Sequence, residues 1–212
     1  MSAEEQKTKP DVQDVETHPV LDVCRSIGMT QLRMKRVRDD YYDLPLEQRA
    51  ALLGAPSIHH LCKTILLENQ KCINSDCSDP RNSRFYCIVL QYSTQLQSHK
   101  IFKFVRTLID KAPQKNYHFR YAKEQDSDAL TGYSHNAVTP FGLKTQIPII
   151  LSKHIMELDP PIFWLGGGEV DTKLEVSCEE FNQILKPYVT DVIIDAPAEG
   201  SDKSKEGQAS NE

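Results

Sequence analysis

The chain has 212 residues, 39% of them hydrophobic and 26% charged, with a formal net charge of −5. That composition is ordinary for a globular protein with one sizeable core, and no apolar run approaches the roughly 20 residues of a membrane span. The acidity sits at the ends. Residues 1–17 hold five acids and two bases and residues 191–212 six acids and two bases, which leaves 18–190 at +2. Such a body meets a nucleic acid only over a small contact, because each neutralised phosphate needs its own cation.

The opening MSAEEQKTKP has no hydrophobic stretch of the kind a secretory signal carries, so a cytoplasmic location is expected, with no membrane and no DNA among the partners. Residues 1–16 and 193–212 are polar and read as disordered acidic tails around one domain, 17–192. In chain order, Thr17 caps a helix that starts near Pro19, buries Val20, Val23, Cys24 and Ile27, and stops at Gly28. RMKRVRDDYY (33–42) reads as a strand with a charged outer face. Asp43 and Pro45 open a helix over LPLEQRAALLGAP, closed by Gly54 and Pro56. LCKTILL (61–67) and FYCIVLQY (85–92) are strands joined by an inserted polar segment, 69–84.

Ser98 starts a helix with an apolar stripe of Ile101, Val105, Leu108 and Ala112. YHFRYA (117–122), QIPIIL (146–151), IFWL (162–165) and KLEV (173–176) are further strands, and Pro148 puts its strand at an edge or a bulge. Ser177 and Glu180 form a capping box for the last helix, SCEEFNQILKP. Helices and strands are interspersed without strict βαβ alternation. The fold class is therefore α+β, with a mixed, curled sheet and flanking helices.

Three stretches carry possible chemistry. Lys63 stands at the start of an apolar strand, either as a snorkelling lysine or as a cation held at a cleft rim. Gly166, Gly167 and Gly168 follow a strand in LGGGEVDT. They make either a plain turn or a place where a ligand approaches backbone amides, and they match no phosphate-binding fingerprint. In TGYSHNAVTPFGL (131–143), Gly132 permits a turn, Asn136 tolerates left-handed backbone, and Pro140 biases Thr139 to extended geometry. His135 is a candidate base by residue type, but no motif supplies the nucleophile and orienting acid that a base needs. Cys72 and Cys77 are spaced like half a zinc site and lack a second ligand pair, so neither a metal nor a cofactor is expected.

These three stretches, in this order, resemble the YbaK-like family of free-standing aminoacyl-tRNA deacylases and prolyl-tRNA synthetase editing insertions. The resemblance runs from about Thr17 to Pro187. CKTILL matches the strand with the family's central lysine, at Lys63. TGYSHNAVTPFGL matches a loop the family writes T-G-Y-x-x-G-x-x-[ST]-P-x-G, and PIFWLGGGEVDTKLEVSCEEFNQIL matches its C-terminal strand, glycine turn, strand and helix.

The resemblance implies a free-standing trans-editing enzyme. It would hydrolyse the ester of a mischarged small amino acid, alanine or cysteine, on tRNA for proline, with an aminoacyl-tRNA synthetase as a further partner. It places the terminal phosphate on Lys63 and the catalytic backbone at Asn136, Thr139 and Pro140. The rest of the ester pocket falls to Gly132, His135, Ala137, Val138 and Gly166–Gly168. The family uses substrate groups and loop backbone in place of a side-chain base. Asn136 stands where the family has glycine, which together with the inserted segment 69–84 keeps open a non-catalytic module that binds tRNA or a synthetase complex; a hydrolase of another activated ester using His135 is a further alternative.

Overall fold

The computed structural model describes residues 11–109 and 113–195. The elements are β1 (Val12–Asp14), α1 (Pro19–Ser26), β2 (Leu32–Val37), α2 (Leu46–Leu53), β3 (Cys62–Asn69), β4 (Phe85–Gln91), β5 (Thr94–Leu96) and α3 (Ser98–Thr107). They continue with β6 (Phe119–Tyr121), α4 (Glu124–Thr131), β7 (Ile149–Ser152), β8 (Ile162–Gly166), β9 (Thr172–Ser177), α5 (Cys178–Leu185), β10 (Tyr188–Thr190) and β11 (Ile193–Asp195).

One sheet is antiparallel, in the order β1-β2-β9-β8. The second is mixed, β10-β7-β4-β3-β6, with β7 parallel to both β4 and β10. A parallel bridge between Leu61 and Trp164 ties the two sheets together at one corner. The main core lies between them. Met34, Phe163, Leu165, Leu174 and Val176 of the first sheet meet Cys62, Val89 and Leu151 of the second, with α1 and α5 closing the sides. The other face of the second sheet packs under α3 through Ile88, Leu90, Ile101 and Val105. β4 is covered on both faces, which explains its nearly unbroken apolar run. This is the α+β architecture with a mixed, curled sheet that the residue pattern calls for.

Several local expectations change. β1 and β11 lie beyond the expected 17–192 domain, pairing with β2 and β5 respectively, while 1–10 and 196–212 of the acidic tails lie outside the described residues. So does Ala112 of the α3 stripe. His18, not Thr17, caps α1, its Nδ1 accepting from the Val20 amide at 3.2 Å. Pro148 is not on an edge strand: β7 is flanked on both sides, and Pro148 precedes its first residue, where the missing N–H costs no ladder bond. Half of the capping box forms, with Ser177 accepting from the Glu180 amide. The Glu180 carboxylate turns instead to the amides of Thr30 and Gln31. Gly54 closes α2 as expected, in left-handed geometry at φ 69°.

Among the described residues no helix is long and apolar enough to cross a membrane, and no three His, Cys, Asp or Glu side chains stand together as metal ligands. Cys77 instead packs with Leu66, Cys87 and Ile147, and Cys72 donates to the Asn82 carbonyl.

Candidate functional site

The 131–143 loop begins where α4 ends. Gly132, at φ 83°, is the left-handed cap of that helix. Tyr133 then donates to the Phe141 carbonyl at 2.6 Å, which closes the loop across its base. Asn136 takes φ 63°, the backbone state that a glycine enters without cost and asparagine more readily than most side chains. Ala137 donates to the Ser134 carbonyl at 3.0 Å. His135 and Asn136 are exposed at the tip, Ala137 is buried and Val138 half-buried, and Thr139 and Pro140 are buried beneath. Thr139 and Pro140 thus support the loop from below, with their side chains turned from solvent.

The glycine turn backs directly onto this loop. The Gly168 amide donates to the Ala137 carbonyl at 3.2 Å. A side chain at Gly166 would put its Cβ 2.6 Å from the Val138 carbonyl oxygen and 3.3 Å from that of Ala137. The turn therefore holds the loop by backbone-to-backbone contact that only glycine allows. Gly168 sits at φ 98°, and Gly167 bonds the Thr172 carbonyl to close the turn.

Lys63 shares the α3-facing side of β3 with Ile65 and Leu67, as strand alternation requires. Its ammonium lies 5.3 Å from the centroid of the Tyr92 ring. From there the site continues through residues that the sequence reading did not single out. Tyr41–Asp43 form a short 3-10 turn, so the chain leaves β2 after Val37 instead of running on as a strand to Tyr42. That turn carries Tyr42 to the loop, where its hydroxyl donates to the Asn136 carbonyl at 2.8 Å.

α2 holds the turn in place. Its Arg49, itself buried, donates to the carbonyls of Tyr42 (2.6 Å) and Leu44 (2.7 Å), and its guanidinium lies 5.5–5.8 Å from the rings of Tyr41, Tyr42 and Tyr92. Lys173 of β9 closes the cluster. It is 3% exposed, 4.7 Å from the Tyr42 ring, and donates to the Val170 carbonyl at 2.7 Å. Burial pulls its amine down to about 7, with Asp171 opposing and Arg49 reinforcing the shift. Beside this cluster opens a cleft of about 270 Å³ lined by Arg38, Asp39, Tyr41, Tyr42, Val170 and Asp171.

The structure thus brings the loop and the glycine turn into direct contact and sets Lys63 beside them across Tyr92 and Tyr42. His135 points to solvent, and among the described residues no carboxylate hydrogen-bonds its ring. What the arrangement offers chemically is a rigid backbone with one aimed carbonyl, cations nearby, and no assembled nucleophile–base pair.

Known structures share this fold. The crystal structure of a protein proposed as a trans-editing enzyme for prolyl tRNA synthetase superposes with a TM-score of 0.64 at 16% identity, over 84% of this chain and 99% of that one. A crystallised hypothetical protein gives 0.62 at 20% identity, over 82% and 99%. A scaffold from a study of computational epitope backbone grafting gives 0.64 at 16%, over 84% and 99%. At these identities the likeness is one of fold. A search of curated proteins returns no match. The family model described as the aminoacyl-tRNA editing domain matches residues 46–184, well over half of the chain and spanning Lys63, the loop and the glycine turn, and the chain belongs to that family.

Proposed function

We propose that the protein is a trans-editing deacylase that hydrolyses the ester joining a wrong small amino acid, alanine or cysteine, to tRNA for proline. The observation that carries this reading is the loop locked against the glycine turn, with Asn136 in a glycine-like conformation and its carbonyl held by the Tyr42 hydroxyl. An aminoacyl ester is already reactive, so a site that positions it, and aims a few dipoles at it, suffices for hydrolysis. Lys63 pairs with the phosphate of the terminal nucleotide. The Asn136–Pro140 backbone orients the ester, the ribose hydroxyl or the attacking water. Selection for small side chains comes from exclusion of large ones, since one methylene is worth only about 1–3 kcal/mol. The acceptor end of tRNA is the partner, a synthetase a further one, and the cytoplasm the place of action. The likeness to a protein proposed to serve prolyl tRNA synthetase supports this choice of carrier.

Release of alanine or cysteine from the corresponding charged tRNA for proline tests the reading. The wild type is expected to release it. Lys63→Ala is expected to lose about 10- to 100-fold in kcat/KM, the worth of a charge-assisted hydrogen bond. His135→Ala should stay within about twofold, because in this reading the exposed side chain is neither base nor nucleophile and the loop acts through its backbone. Full activity in Lys63→Ala with loss in His135→Ala would instead indicate a histidine-dependent ester hydrolase. A second reading, a module that binds charged tRNA without cleaving it, draws on the exposed Asn136 side chain at the loop tip, where the family has glycine.

A further inference from the structure

We propose that Tyr42 is a positioning residue for the reaction: its hydroxyl pins the Asn136 carbonyl and leaves that oxygen's second lone pair facing the substrate. The proposal rests on the deacylase reading above and adds a residue that lies outside the loop, the glycine turn and Lys63.

A carbonyl oxygen has two acceptor sites, and Tyr42 fills one of them at 2.8 Å. The contact joins residues 94 positions apart, so it is made by the fold and not by local turn chemistry. Burial, and then the neighbouring Tyr92, push the Tyr42 phenol well above its usual range, so it remains a protonated donor throughout the working pH range. Tyr92, which lies between Tyr42 and Lys63, also hydrogen-bonds Tyr42. A continuous run of contacts thus links the proposed phosphate cation to the carbonyl that meets the ester.

The hydroxyl is not what holds the ring. Tyr41 packs edge-on against Tyr42 at 5.3 Å and 87°, Arg49 covers its face and bonds its carbonyl, and Lys173 lies 4.7 Å from its centroid. Nor is the hydroxyl needed to form the loop, which is closed by the Ala137–Ser134, Gly168–Ala137 and Tyr133–Phe141 bonds. Tyr42→Phe therefore removes the grip on one carbonyl and leaves the packing in place.

The experiment measures deacylation by wild type and Tyr42→Phe on tRNA charged with alanine, cysteine, serine or glycine, together with the thermal unfolding midpoint of each protein. The expected result is a fall in kcat of about 100-fold, the scale of a misplaced reacting group, with KM for charged tRNA and the unfolding midpoint unchanged. Equal kcat in the two proteins, with the wild type active, overturns the proposal and leaves the deacylase reading standing. A loss that appears in KM, or that tracks a lowered midpoint, also overturns it, in favour of a packing role. A wild type inert on all four substrates removes both readings.

Discussion

Alanine at position 166 is expected to lower deacylation about 100-fold and to destabilise the fold on the order of 1–3 kcal/mol. The added Cβ would lie 2.6 Å from the Val138 carbonyl oxygen and 3.3 Å from that of Ala137, both backbone atoms. A flexible side chain would swing aside; a peptide cannot. Gly166 ends β8, held in register opposite Lys173, so the strand has little room to retreat. The loop has to move, and moving it strains the Gly168–Ala137 hydrogen bond and shifts the Asn136 carbonyl with it. Gly28 is the control. A Cβ there meets nothing within 4 Å, and its substitution costs only the backbone strain of φ 96°. Steady-state kinetics and thermal unfolding of Gly166→Ala and Gly28→Ala check this. Equal behaviour of the two variants would mean that the loop and the turn do not depend on close approach.

The second large effect concerns Lys173 and pH. The native amine is lowered to about 7, whereas in the unfolded chain it keeps an ordinary lysine value near 10.5. Between those values the unfolded state holds a proton that the native state lacks, so stability rises with pH. The slope is about 1.4 kcal/mol per pH unit from this residue, and below about 7 the buried charge exerts its full penalty. Lys173→Met removes the effect. Its two carbonyl partners are the carbonyl of Val170, a residue 46% exposed, and that of Thr172, which also accepts from Gly167 at 2.9 Å. The methionine variant is therefore expected to be more stable than wild type at pH 7.5, with the gap closing toward pH 10. Denaturant unfolding at pH 7.5, 8.5 and 9.5 measures it, and parallel stabilities across the series would contradict it.

What could be read from the sequence and what could not divides along physical lines. Asn136, Pro140 and Gly168 announce their geometry because left-handed backbone and fixed φ are local properties of those residue types. The apolar runs of β3, β4 and β8 announce buried strands in the same way. Tyr42, Tyr92 and Lys173 did not stand out. Tyr42 ends a charged run that scans as a strand, and the 3-10 turn that redirects it is fixed by packing against Arg49 of α2. Lys173 reads as an ordinary strand lysine until β9 is placed beside Tyr41 and Tyr42. Helix α4 was also missed, since EQDSDALT buries only Thr131 and shows no apolar stripe. The short strands β1 and β11 are three residues each and owe their form to their partners β2 and β5. The loop's own residues were thus visible, and the tyrosine and lysine wall that aims it was not.

In the proposed reaction this loop hydrolyses an ester through backbone held at Asn136. The most direct measurement is single-turnover hydrolysis of alanyl-tRNA for proline by the wild type and by Asn136→Gly. Because Asn136 already holds φ 63°, an active wild type is expected, with a glycine variant within about fivefold of it, the factor that 1 kcal/mol carries. An inert wild type, with hydrolysis appearing only in Asn136→Gly, would contradict it and mark the chain as one that kept the fold and gave up the reaction.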